Sequence, residues 1–176
     1  MSVILINFLV FQLGWLAVVL GGASSWHWAG TVLVVAIVTY HLFRATQPRQ
    51  EVFLILAALA IGAVWDSMLV WSGLLSYANG VLHGDLAPHW IVAMWALFAT
   101  TLNVSLRWLK GRWFLAVIFG AMGGPLAYYA GFRLGAVDMA NQPDALMALA
   151  IGWAMIMPLL MYLSQHFNGY TQLQAR

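Results

Sequence analysis

Residues 52–77 read VFLILAALAIGAVWDSMLVWSGLLSY, an almost wholly apolar run with a single carboxylate, Asp66, near its middle. About 20 consecutive apolar residues are enough to cross a bilayer as a helix. The run therefore predicts a membrane-spanning helix. A carboxylate at the centre of such a helix costs about 2.5–3.5 kcal/mol on insertion scales, so it usually faces a partner, a cavity or a ligand.

The composition of the whole chain indicates the same class of protein. Hydrophobic residues make up 64% of its 176 residues and charged residues only 7%, whereas soluble domains carry about 25% charged residues. The chain has no cysteine, which excludes disulfides and thiolate sites, and its net charge of +2 is too small to suggest nucleic acid. We therefore expect an integral membrane protein without a nucleic-acid partner.

Five further apolar segments are separated by short stretches rich in Gly, Pro and charged residues. Short connections favour antiparallel packing of consecutive helices. The fold class expected is all-α: residues 1–176 form a single transmembrane domain, a bundle of six helices. The predicted spans are residues 3–21, 28–43, 52–76, 89–106, 113–134 and 145–163.

The basic residues predict how the bundle is oriented. The first and third loops have no Lys or Arg, and the fifth has only Arg133. By the positive-inside rule, the other basic loops and both termini are cytoplasmic. These basic residues are Arg44 and Arg49 in the second loop, Arg107, Lys110 and Arg112 in the fourth, and Arg176 in the tail.

Polar and aromatic residues inside the spans fall at two depths, counted at about 1.5 Å per residue. A few polar groups among aromatic walls are typical of small-molecule sites, with Asp66 as the central polar group here. The alternative is that the Asn and Gln side chains only bond neighbouring helices, at about 0.6 kcal/mol each. The candidate ligand-binding residues are Asn7 and Asn103 near the inner surface, and Gln12, Trp15, Asp66, Trp95, Tyr128 and Tyr129 nearer the middle.

A metal site is a weaker alternative, and no cofactor is expected. Loop residues at the outer end offer nitrogen and oxygen ligands, namely His27, His83, Asp85 and His89, but their spacing matches no strong motif. Haem needs opposed histidines within the membrane, and only His41 lies inside a span rather than at its first residue or in a loop. The chain also lacks the common hydrolase, metalloprotease and nucleotide-binding motifs. An enzyme is therefore disfavoured, although Asp66 leaves acid–base chemistry open.

Four stretches carry a resemblance to a known family. They are residues 7–15 (NFLVFQLGW), 65–67 (WDS), 95–108 (WALFATTLNVSLRW) and 124–135 (GPLAYYAGFRLG). Together they resemble an uncharacterised family of small bacterial inner-membrane proteins, a domain of unknown function. The resemblance implies a multi-pass protein of the bacterial inner membrane. Members are encoded near lipid-modifying genes of the cyclopropane-fatty-acid-synthase type, which implies a role in membrane-lipid metabolism.

Three functions remain open on the sequence. The leading hypothesis is binding of a membrane lipid or an amphipathic small molecule in a pocket around Asp66, with presentation to a membrane partner protein. The second is a substrate-binding subunit of a vitamin-type transporter, by analogy of size and span number alone. The third is a structural subunit without a ligand, in which the polar groups only fix helix packing.

Overall fold

The computed structural model of the chain describes residues 3–84 and 86–171. Asp85 and Arg176, both used above on sequence grounds, lie outside these residues. The described part confirms the all-α fold class, and its only strands are two residues long and pair antiparallel, β1 (Leu75–Ser76) with β2 (Asp138–Met139). The six helices are α1 (Val3–Gly22), α2 (His27–Arg44), α3 (Pro48–Trp71), α4 (His89–Leu102), α5 (Trp113–Arg133) and α6 (Gln142–His166).

The lengths and apolar character of the helices identify a membrane protein. Four of them, α1, α3, α5 and α6, are long and apolar enough to cross a membrane. The helix α4 is also apolar but has only 14 residues, and α2 carries His27, His41 and Arg44 within its 18 residues. The stability of α2 and α4 within a membrane therefore depends more on their contacts with the neighbouring helices.

Several helix ends differ from the predicted spans for local reasons. The helix α3 begins at Pro48, four residues before the predicted start, because proline is well suited to the first turn of a helix. It ends at Trp71, and Gly73 then adopts a positive φ of 72° that turns the chain toward β1. The side chain of Asn141 accepts a hydrogen bond from the Asp144 backbone N–H and so caps α6 three residues earlier than predicted.

Consecutive helices pack in pairs, α1 with α2, α3 with α4 and α5 with α6. The helix α4 also packs on α1 and α2, and its residues Trp90, Trp95 and Leu97 are among the buried core. Within the described residues, α1 and α5 make few or no direct packing contacts with each other. A gap therefore remains between the first helix and the fifth.

Glycines in the helices provide the space for buried indole rings. A Cβ atom on Gly62 of α3 would lie 2.0 Å from the ring of Trp95, and one on Gly124 of α5 would lie 2.2 Å from the ring of Trp153. The two indoles stack with their centroids 4.8 Å apart and their planes at 11°. Because no side chain fits at either glycine, α3, α4, α5 and α6 are held at fixed distances around this aromatic pair.

Candidate functional site

Asp66 is the polar link between three helices. It is fully buried in α3. The Trp95 indole of α4 donates a hydrogen bond of 2.6 Å to Oδ2, and the Tyr128 hydroxyl of α5 donates one of 2.5 Å to Oδ1. Both carboxyl oxygens therefore have a partner, which offsets the cost of burying the group.

Trp95 and Tyr128 form part of the wall of a cavity of about 420 Å³ between α1, α4 and α5. Most of the lining is aromatic or aliphatic, with contributions from Phe11 of α1 and Phe98 of α4. Asp66 lies behind this wall, so it fixes the orientation of two lining side chains rather than facing the cavity.

The cavity opens at the gap between α1 and α5. Phe8 of α1 and Leu126 of α5 both line the cavity, and they are 48% and 62% exposed. In a membrane-spanning bundle, such side chains face the lipid chains. This side of the cavity is therefore the one that would face lipid chains in a membrane.

The other predicted site residues separate into two groups. Gln12 and Trp15 line the same cavity as Trp95 and Tyr128. Asn7 instead bonds the backbone at the end of α4, donating to the Thr100 carbonyl at 3.0 Å. Tyr129 accepts a hydrogen bond of 3.2 Å from Arg133 on its own helix.

Two residues of the cavity wall carry polar atoms that lack a partner. The Tyr77 hydroxyl and the Trp153 indole nitrogen are buried without a hydrogen bond to any described residue. An unpaired buried donor costs about 1–3 kcal/mol. Both atoms have almost no accessible surface, so this cost belongs to the folded chain and neither donor is presented to an occupant of the cavity.

A second buried polar cluster, absent from the sequence prediction, is centred on Glu51 in the first turn of α3. Glu51 is fully buried. Its Oε2 pairs with His41 Nε2 at 2.7 Å, and its Oε1 accepts from the Asn103 side chain at 2.6 Å and from the Gly169 backbone N–H at 2.7 Å. Three donors are typical of an ionised carboxylate. Asn103, predicted for the ligand site, thus belongs to this separate cluster.

The hydrogen bonds of His41 indicate that it is the cationic partner. The Tyr170 hydroxyl donates to the His41 carbonyl oxygen at 2.6 Å, which leaves the phenolic oxygen free to accept from His41 Nδ1 at 3.2 Å. The other ring nitrogen donates to Glu51. An imidazole that donates through both nitrogens is an imidazolium. His41 and Glu51 therefore form a buried ion pair covered by the C-terminal segment, residues 167–170.

Lys110 completes this cluster from the loop that precedes α5. Its ammonium group donates to the Asn103 side chain and, at 3.0 Å, to the Ser164 carbonyl. Burial lowers the pKa of Lys110 to about 8, although the attraction of Glu51 opposes this change and the repulsion of Arg107 adds to it. The folded protein therefore releases the Lys110 proton more readily than the unfolded chain does.

This pKa predicts a rise in stability above neutral pH. From about pH 8 to about pH 10 the unfolded chain binds the Lys110 proton and the folded protein does not, so raising the pH favours folding. Burial also raises the pKa of Tyr170. That residue affects the pH dependence of stability only above about pH 10, where tyrosine in the unfolded chain ionises. Thermal unfolding in detergent across this range should show the increase, and Lys110→Met should abolish it. An equal increase in Lys110→Met would assign the effect to other groups.

The histidines at the opposite end of the bundle come together only in part. His27 and His89 share a hydrogen bond of 2.8 Å, and His89 also bonds the Thr31 hydroxyl at 2.9 Å. His83 is exposed, and the fourth residue of the alternative metal set, Asp85, lies outside the described residues. Across residues 3–84 and 86–171, no three His, Cys, Asp or Glu side chains form a group that could hold a metal ion.

Residues 4–159 match the family described as Protein of unknown function (DUF2878). The match covers nearly the whole chain and confirms the resemblance to an uncharacterised family. No curated protein and no solved structure matches the chain. The function must therefore be inferred from the geometry of the site.

Proposed function

The chain belongs to this family of proteins of unknown function, and we propose that it binds a lipid or another amphipathic molecule in the cavity between α1, α4 and α5. The observation that carries the proposal is the cavity itself. Its volume of about 420 Å³ lies within the range of small-molecule sites, about 300–1,000 Å³. Its walls are mainly aromatic and aliphatic, as such sites are.

The position of the opening supports a ligand that comes from the membrane. The exposed side chains of Phe8 and Leu126 flank the cavity on α1 and α5. An acyl chain could enter there without leaving the hydrocarbon region, whereas a charged solute would have to lose its hydration first.

Asp66 contributes to this function by positioning. Its two hydrogen bonds fix Trp95 and Tyr128, which are part of the cavity wall. Because Asp66 fixes these two side chains from outside the cavity, they keep the same orientation when the cavity is empty. This preorganisation lowers the entropic cost of binding. We therefore treat Asp66 as a positioning residue for the ligand site.

The distribution of charge supports a cytoplasmic location for the end that carries Glu51. Arg107 and Lys110 of the fourth loop lie near one another at this end. The second loop, with Arg44 and Arg49, connects α2 and α3 at the same end. An excess of basic residues is typical of cytoplasmic loops and supports an orientation with this end facing the cytoplasm. The membrane that we propose is the bacterial inner membrane.

Filling the cavity should remove the ligand. Gly123 lines the cavity, and a Cβ atom added there would meet only one side-chain atom, of Phe119, at 4.0 Å. Gly123→Leu should therefore fold while occupying part of the cavity. Native mass spectrometry after mild solubilisation is expected to find a bound mass on the wild type that falls by at least ten-fold on this variant, a change of about 1.4 kcal/mol.

Ala60→Leu provides the matched control, because it adds a leucine to an exposed position of α3 that does not line the cavity. It should retain the wild-type occupancy. A bound mass that is a water-soluble vitamin would favour the transport-subunit hypothesis instead. A clean apo mass for the wild type and both variants would contradict the ligand site and leave a structural role.

A further inference from the structure

A second and smaller cavity of about 60 Å³ lies beside the Glu51 cluster, between α1, α2 and α4. Its lining includes Tyr40, His41 and Arg44 of α2, and Tyr170 of the C-terminal segment. A cavity needs about 15 Å³ to admit one water, so this space can take a single small polar group but not a whole lipid. It is separate from the cavity of the proposed function.

The cavity offers two hydrogen-bond donors that residues 3–84 and 86–171 leave unused. The Arg44 guanidinium and the Tyr40 hydroxyl make no hydrogen bond or ion pair with any part of the chain that the structure describes. They lie one turn apart on α2, and both are close enough to Tyr170 to interact with it electrostatically. Both groups are partly exposed, so they remain available to a ligand.

The buried wall of the cavity adds positive charge. His41 is 5% exposed, and both of its ring N–H groups are used by Glu51 and Tyr170. It therefore contributes its charge rather than a further hydrogen bond. Among the described residues, the neighbouring charged groups are Arg44, His41 and Lys110, with Glu51 as the one acid, which leaves an excess of positive charge.

We propose that this cavity is a binding site for a phosphate group, with the Arg44 guanidinium and the Tyr40 hydroxyl as its donors. Arginine matches phosphate oxygens with two parallel N–H donors, which gives strong charge-assisted hydrogen bonds. Basic pockets between helices on the cytoplasmic side of a membrane are typical sites for anionic head groups. Val3, Ile6 and Val10 of α1 line the same cavity and offer an apolar surface beside the phosphate position. A lipid head group and free phosphate share this chemistry, and the test below distinguishes the two sources.

The test measures lipid retention on the intact protein. Wild type, Arg44→Gln and Tyr40→Phe are placed in bilayers of equal parts phosphatidylcholine and phosphatidylglycerol, and the bound lipids are identified by native mass spectrometry. The wild type should retain phosphatidylglycerol in preference. Loss of the Arg44 charge is expected to reduce this preference about five-fold, since one basic residue near the surface contributes about that factor. Tyr40→Phe should reduce it by a smaller factor.

Arg112→Gln is the matched control, because Arg112 is an exposed arginine of the fourth loop that does not line the cavity. It should keep the preference. A parallel titration of the detergent-solubilised protein with inorganic phosphate distinguishes the sources: thermal stabilisation that depends on Arg44, without lipid preference, identifies a soluble phosphate. Equal losses in Arg44→Gln and Arg112→Gln, or no dependence on Arg44 in either experiment, would overturn the proposal.

Discussion

Replacing Glu51 with alanine is expected to destabilise the protein by about 3–5 kcal/mol, the usual cost of removing one member of a buried ion pair. The substitution leaves the His41 imidazolium buried without its anion. It also leaves the Asn103 amide and the Gly169 backbone N–H without their shared acceptor. Thermal or denaturant unfolding in mild detergent should show the loss, together with faster proteolysis of the C-terminal segment that Gly169 anchors.

A double-mutant cycle identifies the cause of this loss. His41→Ala alone should also be strongly destabilising, because it leaves the carboxylate unpaired. The combined variant should lose less than the sum of the two single losses, since it removes both charges. Glu51→Gln should fall between the wild type and Glu51→Ala, because the amide can still accept at Oε1. Strict additivity of the two single losses would contradict an ion pair between His41 and Glu51.

The second large effect is expected at Asp66, where the chemistry of the replacement decides the outcome. Asp66→Leu fills a similar volume but removes the acceptor of the Trp95 indole and of the Tyr128 hydroxyl. Each buried donor left unpaired costs about 1–3 kcal/mol. Asp66→Asn should retain the fold, because its oxygen accepts from Trp95 while its amide donates to a rotated Tyr128 hydroxyl.

Unfolding temperature and ligand occupancy should therefore separate the two variants. Asp66→Leu should lose both stability and the bound mass, because no hydrogen bond then fixes Trp95 and Tyr128 in the cavity wall. Asp66→Asn should keep most of the stability. Loss of folded protein in Asp66→Asn would show that the carboxylate charge itself is required, which is contrary to the positioning role.

The helices and the importance of Asp66 could be predicted because both leave local signals. Apolar runs of bilayer length separated by loops gave the six helices. A single carboxylate in the middle of such a run marked Asp66, and the depths of Trp95 and Tyr128 placed its partners at a similar level. The position of Asp66 behind the cavity wall could not be predicted, because depth along a helix does not say which face the side chain occupies.

The Glu51 cluster could not be predicted because its members are distant in the sequence and none lies in the middle of a span. Glu51 directly precedes residue 52, where the predicted span begins. An acidic residue at the start of a helix is ordinarily interpreted as a solvated side chain that interacts favourably with the helix dipole. Its burial results from residues 167–170 folding back over it. The one available signal was that the chain has a single Glu, ten residues after His41, which lies inside a predicted span.

The pairing of consecutive helices and the anchoring of Gly169 also have a consequence for biogenesis. The hairpins α1–α2, α3–α4 and α5–α6 leave the ribosome in that order, and each can pack as soon as its second helix is made. The α1–α5 gap forms only when the third hairpin joins the first. Glu51 gains its full set of donors later still, because the backbone N–H that it accepts from belongs to Gly169, which is synthesised 118 residues after it. Nascent chains that have not reached this residue therefore hold a Glu51 carboxylate that lacks one of its three hydrogen-bond donors.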